Sequence, residues 1–471
     1  MSESTLSEQL AAFAISTFQE GAPNEVRDSV RQRVLDVIGL QLAALDLPTS
    51  EGAVAFAVSQ GGPAQSRIIG HADAISAAGA AFANGVLAHS LDYDDTHLPS
   101  VLHPSASVVP TVLAAAEAHG VRGPQVLDAI AVGIEVTVRL GMAGYDREAR
   151  SSIYFEHGQH ATSICGTVGS AVAAALILDG TEKGLVDAIG LSASMASGII
   201  EANRTGGTVK RMHCGWSAKA GVTAAELLAH GFTGPPTALE GRFGLFEAFL
   251  HGNVHLDEVT DGLGEHWEVP GIFFKPYPAN HFTHTGLDAA RELRDRGVRI
   301  EDIAQVQLGV AASTVRTIGE PIERKRAPET GYQAQFSGPY MVALGFFGGG
   351  GLGASLDDFA DAHLRDPARL ELMAKVSVVA DADCDAIFPD QFPAVLTVTT
   401  HDGQEHVAAA MSNRGGGVQP LTEAELLTKF RDNARRRLDE ASIAAVEAAV
   451  MGLSGTGSVE QLTAACAGGA E

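Results

Sequence analysis

The chain has 471 residues, 45% of them hydrophobic and 19% charged, with a formal net charge of −25 and a pI near 5.0. This length exceeds what one core usually fills, so two domains are expected, and the composition is that of a soluble globular protein. The acidic balance argues against nucleic acid or an acidic membrane as partner, because either needs a basic face. An anionic ligand must then be drawn in by a local basic patch.

At the N-terminus, Met1-Ser-Glu-Ser-Thr-Leu-Ser-Glu has neither a basic nor an apolar signal region, so no secretory signal is predicted. The longest apolar run, Val168 to Leu178, is interrupted by Gly169 and Ser170 and is too short to span a bilayer, which predicts a cytoplasmic protein with no membrane partner. Thr5 and Glu8 form a capping box, and from about Asn24 a helix carries Val26, Val30, Val34, Val37 and Ile38 on one face. Helical patterns recur at 53–60, 74–91, 106–119, 124–143, 161–178, 183–198 and 216–230. Small residues dominate them, so their axes can approach closely.

The pattern changes after Gly271. Residues 305–310, 374–380 and 395–400 are β-branched and partly alternating, and the last leads through His401-Asp402-Gly403 into a hairpin partner at 405–410. Helical patterns lie among them at 283–296 and 333–347. Thr422-x-x-Glu425 then caps a helical stretch over 422–449. The expected fold is mainly α: a large all-helical domain over 1–268, a smaller α+β lid domain over 269–410, and a helical segment over 411–471 that returns to the large domain. No internal repeat is visible.

The residues that can do chemistry fall in four places. Ala88-His89-Ser90-Leu91-Asp92-Tyr93-Asp94-Asp95-Thr96-His97, followed by His103-Pro104-Ser105, is a polar stretch between two apolar helices, where unpaired buried carboxylates would be very costly. It either networks its charges or builds a site. Gly158-Gln159-His160-Ala161-Thr162 sets an imidazole and a hydroxyl at a helix N-terminus, where Thr162 suits a cap and anions are attracted. Asn203 to His213 reads as a basic loop in which Gly206-Gly207 lets the backbone approach a ligand, while Lys210 and Arg211 supply carboxylate-binding charge. In Phe274-Lys275-Pro276-Tyr277-Pro278-Ala279-Asn280-His281-Phe282-Thr283-His284, two prolines fix an extended backbone from which Lys275, Asn280, His281 and His284 project.

Other signals are weaker. Gly348-x-Gly350-x-x-Gly353 follows a helical pattern instead of a strand and reads as a loop, not a dinucleotide site. Asp92, Asp94, Asp95, His97 and His103 could ligate a divalent metal, but no second motif has metal spacing, so the expected metal set is none. Cys165, Cys214, Cys384 and Cys466 are scattered and read as buried thiols, offering neither a zinc knuckle nor an iron–sulfur cradle. No Gly-x-Ser-x-Gly elbow is present.

Together, His89-Ser-Leu-Asp-Tyr-Asp-Asp-Thr-His, His103-Pro-Ser, Gly158-Gln-His-Ala-Thr, Lys210-Arg-Met-His, Gly231-Phe-Thr-Gly-Pro, Glu240-Gly-Arg-Phe-Gly and Lys275-Pro-Tyr-Pro resemble the MmgE/PrpD family. That family includes 2-methylcitrate dehydratases, cis-aconitate decarboxylases and iminodisuccinate epimerases. The resemblance implies the helical domain with its lid, a homodimer, and a pocket formed by Asp92, Thr96, His103, His160 and Lys210, closed from the lid side by Lys275 and the residues after it. Ala279-Asn280-His281 departs from commoner members, in which a cysteine or another side chain often follows the proline.

The residues suit such chemistry in their own right. Removing water, carbon dioxide or a proton next to a carboxylate needs an acid, a base and cations that stabilise developing negative charge. The expected activity is a cofactor-independent lyase, a dehydratase or decarboxylase, on a small anionic di- or tricarboxylate. Asp92, His103, His160 and Lys210 would be catalytic, and Thr96, Arg211, Lys275, Asn280, His281 and His284 would bind substrate. The alternatives are an epimerase or isomerase of a dicarboxylate such as iminodisuccinate, and a metal-dependent hydrolase using the aspartate-rich loop.

Overall fold

The computed structural model describes residues 4–202 and 207–468, which divide into two compact units. The first comprises residues up to Ile272 together with Asn433 onward, and the second runs from Phe273 to Asp432. Both boundaries differ from the expected 268/269 and 410/411. The stretch up to Ile272 is tied to the first unit by Arg33, whose guanidinium donates to the carbonyls of Val269 (2.9 Å) and Ile272 (2.7 Å). Residues 411–432 stay with the second unit: Phe274 N–H donates to Gly415 O (2.9 Å), and its ring packs on Leu421 and Leu426.

The first unit is helical. Thr5 and Glu8 form the expected capping box of helix Leu6–Glu20, and the helix Asn24–Ala44 buries Val26, Val30, Val34, Val37 and Ile38. Helices follow at Pro48–Ser59, Ala77–His89, Ser105–His119, Pro124–Ala143, Ala161–Leu178, Glu182–Ala193 and Val209–Leu228. The 209–228 helix packs most extensively on 161–178 and 77–89. A Cβ on Gly85 would stand 2.7 Å from both Cys214 O and Gly215 Cα, and one on Gly215 would stand 2.4 Å from Phe82 O. The two helices therefore cross backbone to backbone, which only glycine at these positions permits.

The last helix overturns one sequence expectation. It begins at Val209, so Lys210 and Arg211 lie in its first turn and His213 just beyond it, and none of them on a loop. Of that basic segment, Asn203 to Gly206 fall outside the described residues. A second correction concerns the 161–178 helix, whose 18 residues have a mean hydropathy of 1.8 and are long and apolar enough to cross a membrane. It is 89% buried inside the protein, as a core helix is, and the small residues along it serve close packing.

The second unit holds a four-stranded sheet in the order 376–380, 303–310, 394–400, 405–410. Its first pair is parallel (Val306 opposite Val376), and the others are antiparallel (Leu308 opposite Leu396, Leu396 opposite Ala408). The helices His284–Asp295 and Gly338–Phe347 share its core, where Leu287, Leu308, Val342, Leu344 and Leu396 are buried. Gly348 follows a helix, as the sequence predicts for a loop. The predicted 422–449 helix is two, Glu423–Ala434 and Glu440–Gly452, with Asp439 capping the second through Ser442 N–H.

Candidate functional site

In the first unit the helix 77–89 ends on His89, and residues 90 to 98 are buried throughout. This loop survives burial because its three carboxylates take different partners. Asp92 Oδ1 accepts from Lys210 Nζ (3.1 Å), and Asp94 Oδ2 lies 2.7 Å from His89 Nδ1. Asp95 Oδ2 accepts from Arg33 Nη1 (2.8 Å) and from Ser105 Oγ (2.5 Å). Burial pushes the Asp95 carboxyl up and the Arg33 guanidinium down, while their mutual attraction works against both shifts. Asp95 is thus a strut, although its main-chain carbonyl has a further task.

That carbonyl lies 2.6 Å from His103 Nδ1, with Thr96 Oγ1 at 3.4 Å from the same nitrogen. A carbonyl only accepts, so His103 carries a proton on Nδ1. Thr162 does not cap its helix as the sequence suggests. Its hydroxyl accepts from His103 N–H (3.3 Å), and His160 takes the cap position without a side-chain capping bond.

His160 Nδ1 lies 2.9 Å from His213 Nδ1. Four imidazoles, from two helices, one helix cap and one loop, form a chain, with ring centroids at 5.4 Å (His103 to His89), 5.7 Å (His89 to His160) and 4.8 Å (His160 to His213). Their charges are set differently. Burial works against a charged His89, but Asp94 and Cys214 outweigh it and hold the ring up to about 10. Burial, with His89 and other cations nearby, keeps His160 well below its usual value. Burial, His89 and Lys210 bring His213 down to about 4. At neutral pH the site therefore combines fixed cations at His89 and Lys210 with neutral imidazoles at His160 and His213. Arg211 Nη1 donates to Thr49 Oγ1 (3.0 Å).

Asp92, Thr96, His103, His160 and Lys210 are thus brought together in one unit. The sequence reading assigned no role to His89, His213 or Arg33. The signals were present: His89 stands five residues before Asp94, His213 one helical turn after Lys210, and Arg33 among Val30, Val34 and Val37 on an apolar face. Of the candidate metal donors, Asp92, Asp94, Asp95 and His103 meet these separate partners and His97 Nδ1 lies 2.6 Å from Ser100 Oγ, and among the described residues no group of three or more His, Cys, Asp or Glu side chains could hold a metal ion.

In the second unit Lys275, His281 and His284 are buried. The extended backbone expected through this motif ends at Asn280, whose side chain accepts from Phe282 N–H (3.1 Å) and starts the turn His281–Thr283. His284 Nε2 lies 3.1 Å from Ala279 O, and its ring centroid is 4.6 Å from that of His281. Tyr277 is anchored through its hydroxyl to Asp288, Arg291 (3.2 Å) and Arg414 (2.7 Å).

Residues 8–256 match the MmgE/PrpD N-terminal domain and residues 277–453 the MmgE/PrpD C-terminal domain. Among curated relatives, cis-aconitate decarboxylase of Homo sapiens is 30% identical over 379 residues, covering 76% of this chain and 73% of that protein. The Mus musculus cis-aconitate decarboxylase is 29% identical, covering 76% and 72%, and that of Aspergillus terreus is 25% identical, covering 96% and 94%.

Proposed function

Because this chain belongs to the MmgE/PrpD family, we propose that it is a lyase acting on a small tricarboxylate, with cis-aconitate as the first candidate and carbon dioxide as the group lost. The observation that carries this reading is the pairing of imidazoles with fixed cations: His103 and the neutral His160 beside the Asp94-bound His89 and the Asp92-bound Lys210. In decarboxylation the bond to one carboxylate breaks, its electron pair spreads into the conjugated system, and a proton is delivered to carbon. Lys210 and His89 stabilise the negative charge, and an imidazole handles the proton. The same groups serve dehydration, in which a base removes a C–H proton and hydroxide leaves with a proton from an acid.

The reading is supported by the names of the relatives given above, cis-aconitate decarboxylases, and by the presence of Lys210 and a protonated His89 in the site. It includes catalysis without a cofactor and a cytoplasmic location. It also includes a homodimer, favoured by the exposed apolar stripe Val209, Met212 and Trp216 on the 209–228 helix. Lys275, Asn280, His281 and His284 are proposed as substrate-binding residues on their motif alone, and Arg211 on its charge.

Proton NMR of EDTA-treated enzyme in heavy water tests the reaction class, with cis-aconitate, 2-methylcitrate and iminodisuccinate in separate tubes. Consumption of cis-aconitate with loss of carbon dioxide is the expected result. Deuterium exchange with stereochemical scrambling and no lost group would establish an epimerase instead, and activity that EDTA abolishes would establish a metal enzyme.

A further inference from the structure

The His160–His213 contact has a consequence for how His160 can act. Two imidazoles that meet Nδ1 to Nδ1 at 2.9 Å hold one proton between them: one nitrogen donates and the other accepts. Doubly protonated, the pair would set two N–H groups against each other. Doubly unprotonated at Nδ1, it would set two lone pairs against each other. A charged pair is further opposed by its surroundings, since His89 at the end of helix 77–89 and Lys210 in the first turn of 209–228 both add positive charge, and burial disfavours more. Asp94 is engaged by His89 and Asp92 by Lys210.

We propose that His213 is a positioning residue for the reaction, sharing one proton with His160 so that His160 is locked in a single tautomer with a defined task for its Nε2. If His160 donates at Nδ1, its Nε2 is a base; if it accepts, its Nε2 is a proton donor. In either case the ring that donates at Nδ1 has the free outer nitrogen, and a proton gained there lets the shared proton cross the 2.9 Å contact, which passes the added positive charge to the other ring. His213 is itself held in place: it lies in a helix whose neighbour, Gly215, is locked against Phe82 O and Val86, and its carbonyl accepts from Ser163 Oγ (3.4 Å). The inference rests on the reading of the imidazole chain as the reacting site.

The test is 15N NMR of histidine-labelled full-length protein, with the His160 signals assigned by their loss in His160→Gln. Wild type should show His160 in one tautomer. His213→Phe, which keeps a ring but offers no nitrogen, should show a mixture, with kcat down about tenfold or more, KM within about twofold and a displaced pH profile. His213→Asn, which returns a polar atom near the Nδ1 position, should restore the single tautomer and most of kcat. An unchanged His160 tautomer in His213→Phe would overturn the proposal whatever the activity. The spectrum reads the tautomer without turnover, so failure of the functional reading on every substrate would be seen separately.

Discussion

At the scale of single residues, the candidate site depends on how each buried charge is neutralised. His103→Ala removes the ring whose tautomer Asp95 O selects, and Lys210→Ala removes the cation on Asp92. Each is expected to lower kcat at least about a hundredfold while the fold is retained, as measured by steady-state rates together with circular dichroism; a near-wild-type rate in either removes that residue from its role. His89 gives a pH dependence of known sign. Its folded value of about 10 lies above the unfolded value near 6.5, so its contribution to stability is fully present below pH 6.5 and is lost as pH rises through 10. The stability advantage of wild type over His89→Gln, from urea unfolding at a series of pH values, should shrink between those limits. An advantage that grows with pH would mean that His89 is neutral in the folded protein.

Much of this was legible in the residues themselves. A run with three aspartates and two histidines between apolar helices announces a buried polar network, and Lys210 stands out in an acidic chain. What the sequence could not convey was the partner of each group. Asp92, Asp94 and Asp95 look alike in sequence, yet one meets a lysine 118 positions away, one a histidine five positions back, and one an arginine 62 positions back. Spacing reveals only the second.

At the scale of elements, the site is held by close helix contact and by a tightly wound loop. Gly85→Ala should improve intrinsic helix propensity by about 1 kcal/mol, but its Cβ would meet the backbone of Cys214 and Gly215 at 2.7 Å. Backbone yields less readily than a side chain, so a net loss of about 1–3 kcal/mol is expected from overpacking. The same shift would part His89 from His213. Thermal unfolding and activity should therefore fall together, and a stabilised, fully active Gly85→Ala would show that the two helices are free to separate. Within the loop, Asp92 and Val101 both adopt left-handed backbone, with φ of 52° and 53°. Aspartate tolerates this conformation, whereas for β-branched valine it is strained. Val101 lies two residues before His103, so this strain accompanies the placement of the imidazole.

Helices were the most readable elements because small and apolar residues recur along them at helical spacing. Their ends were less so: the 209–228 helix starts seven residues earlier than the apolar pattern suggests, since its first residues carry Lys210, Arg211 and His213 toward polar partners. Those residues hid the helix precisely where it contributes to the site's chemistry.

At the scale of the whole molecule, the first unit contains Asp92, Thr96, His103, His160 and Lys210, and its buried Arg33 joins the aspartate-rich loop to the segment that ends the unit. Arg33→Leu would leave Asp95 buried with a charge and no cation, at a cost of about 3–5 kcal/mol; urea unfolding should show that loss, and an unchanged midpoint would mean that Asp95 is neutral in the folded chain. The two-unit division was legible as a change from helical to alternating pattern near Gly271. The return point was not, because Asn433 lies inside a continuous helix, Glu423–Ala434, with no break in pattern.

The central claim is that the imidazoles and fixed cations of the first unit remove a carboxylate from a tricarboxylate without a metal. The most direct measurement is release of labelled carbon dioxide from carboxyl-labelled cis-aconitate by EDTA-dialysed enzyme, with Lys210→Ala run in parallel. The account predicts steady release by the wild-type chain and a rate at least about a hundredfold lower in the variant. Equal release by both, or release that returns only when metal is restored, would contradict it.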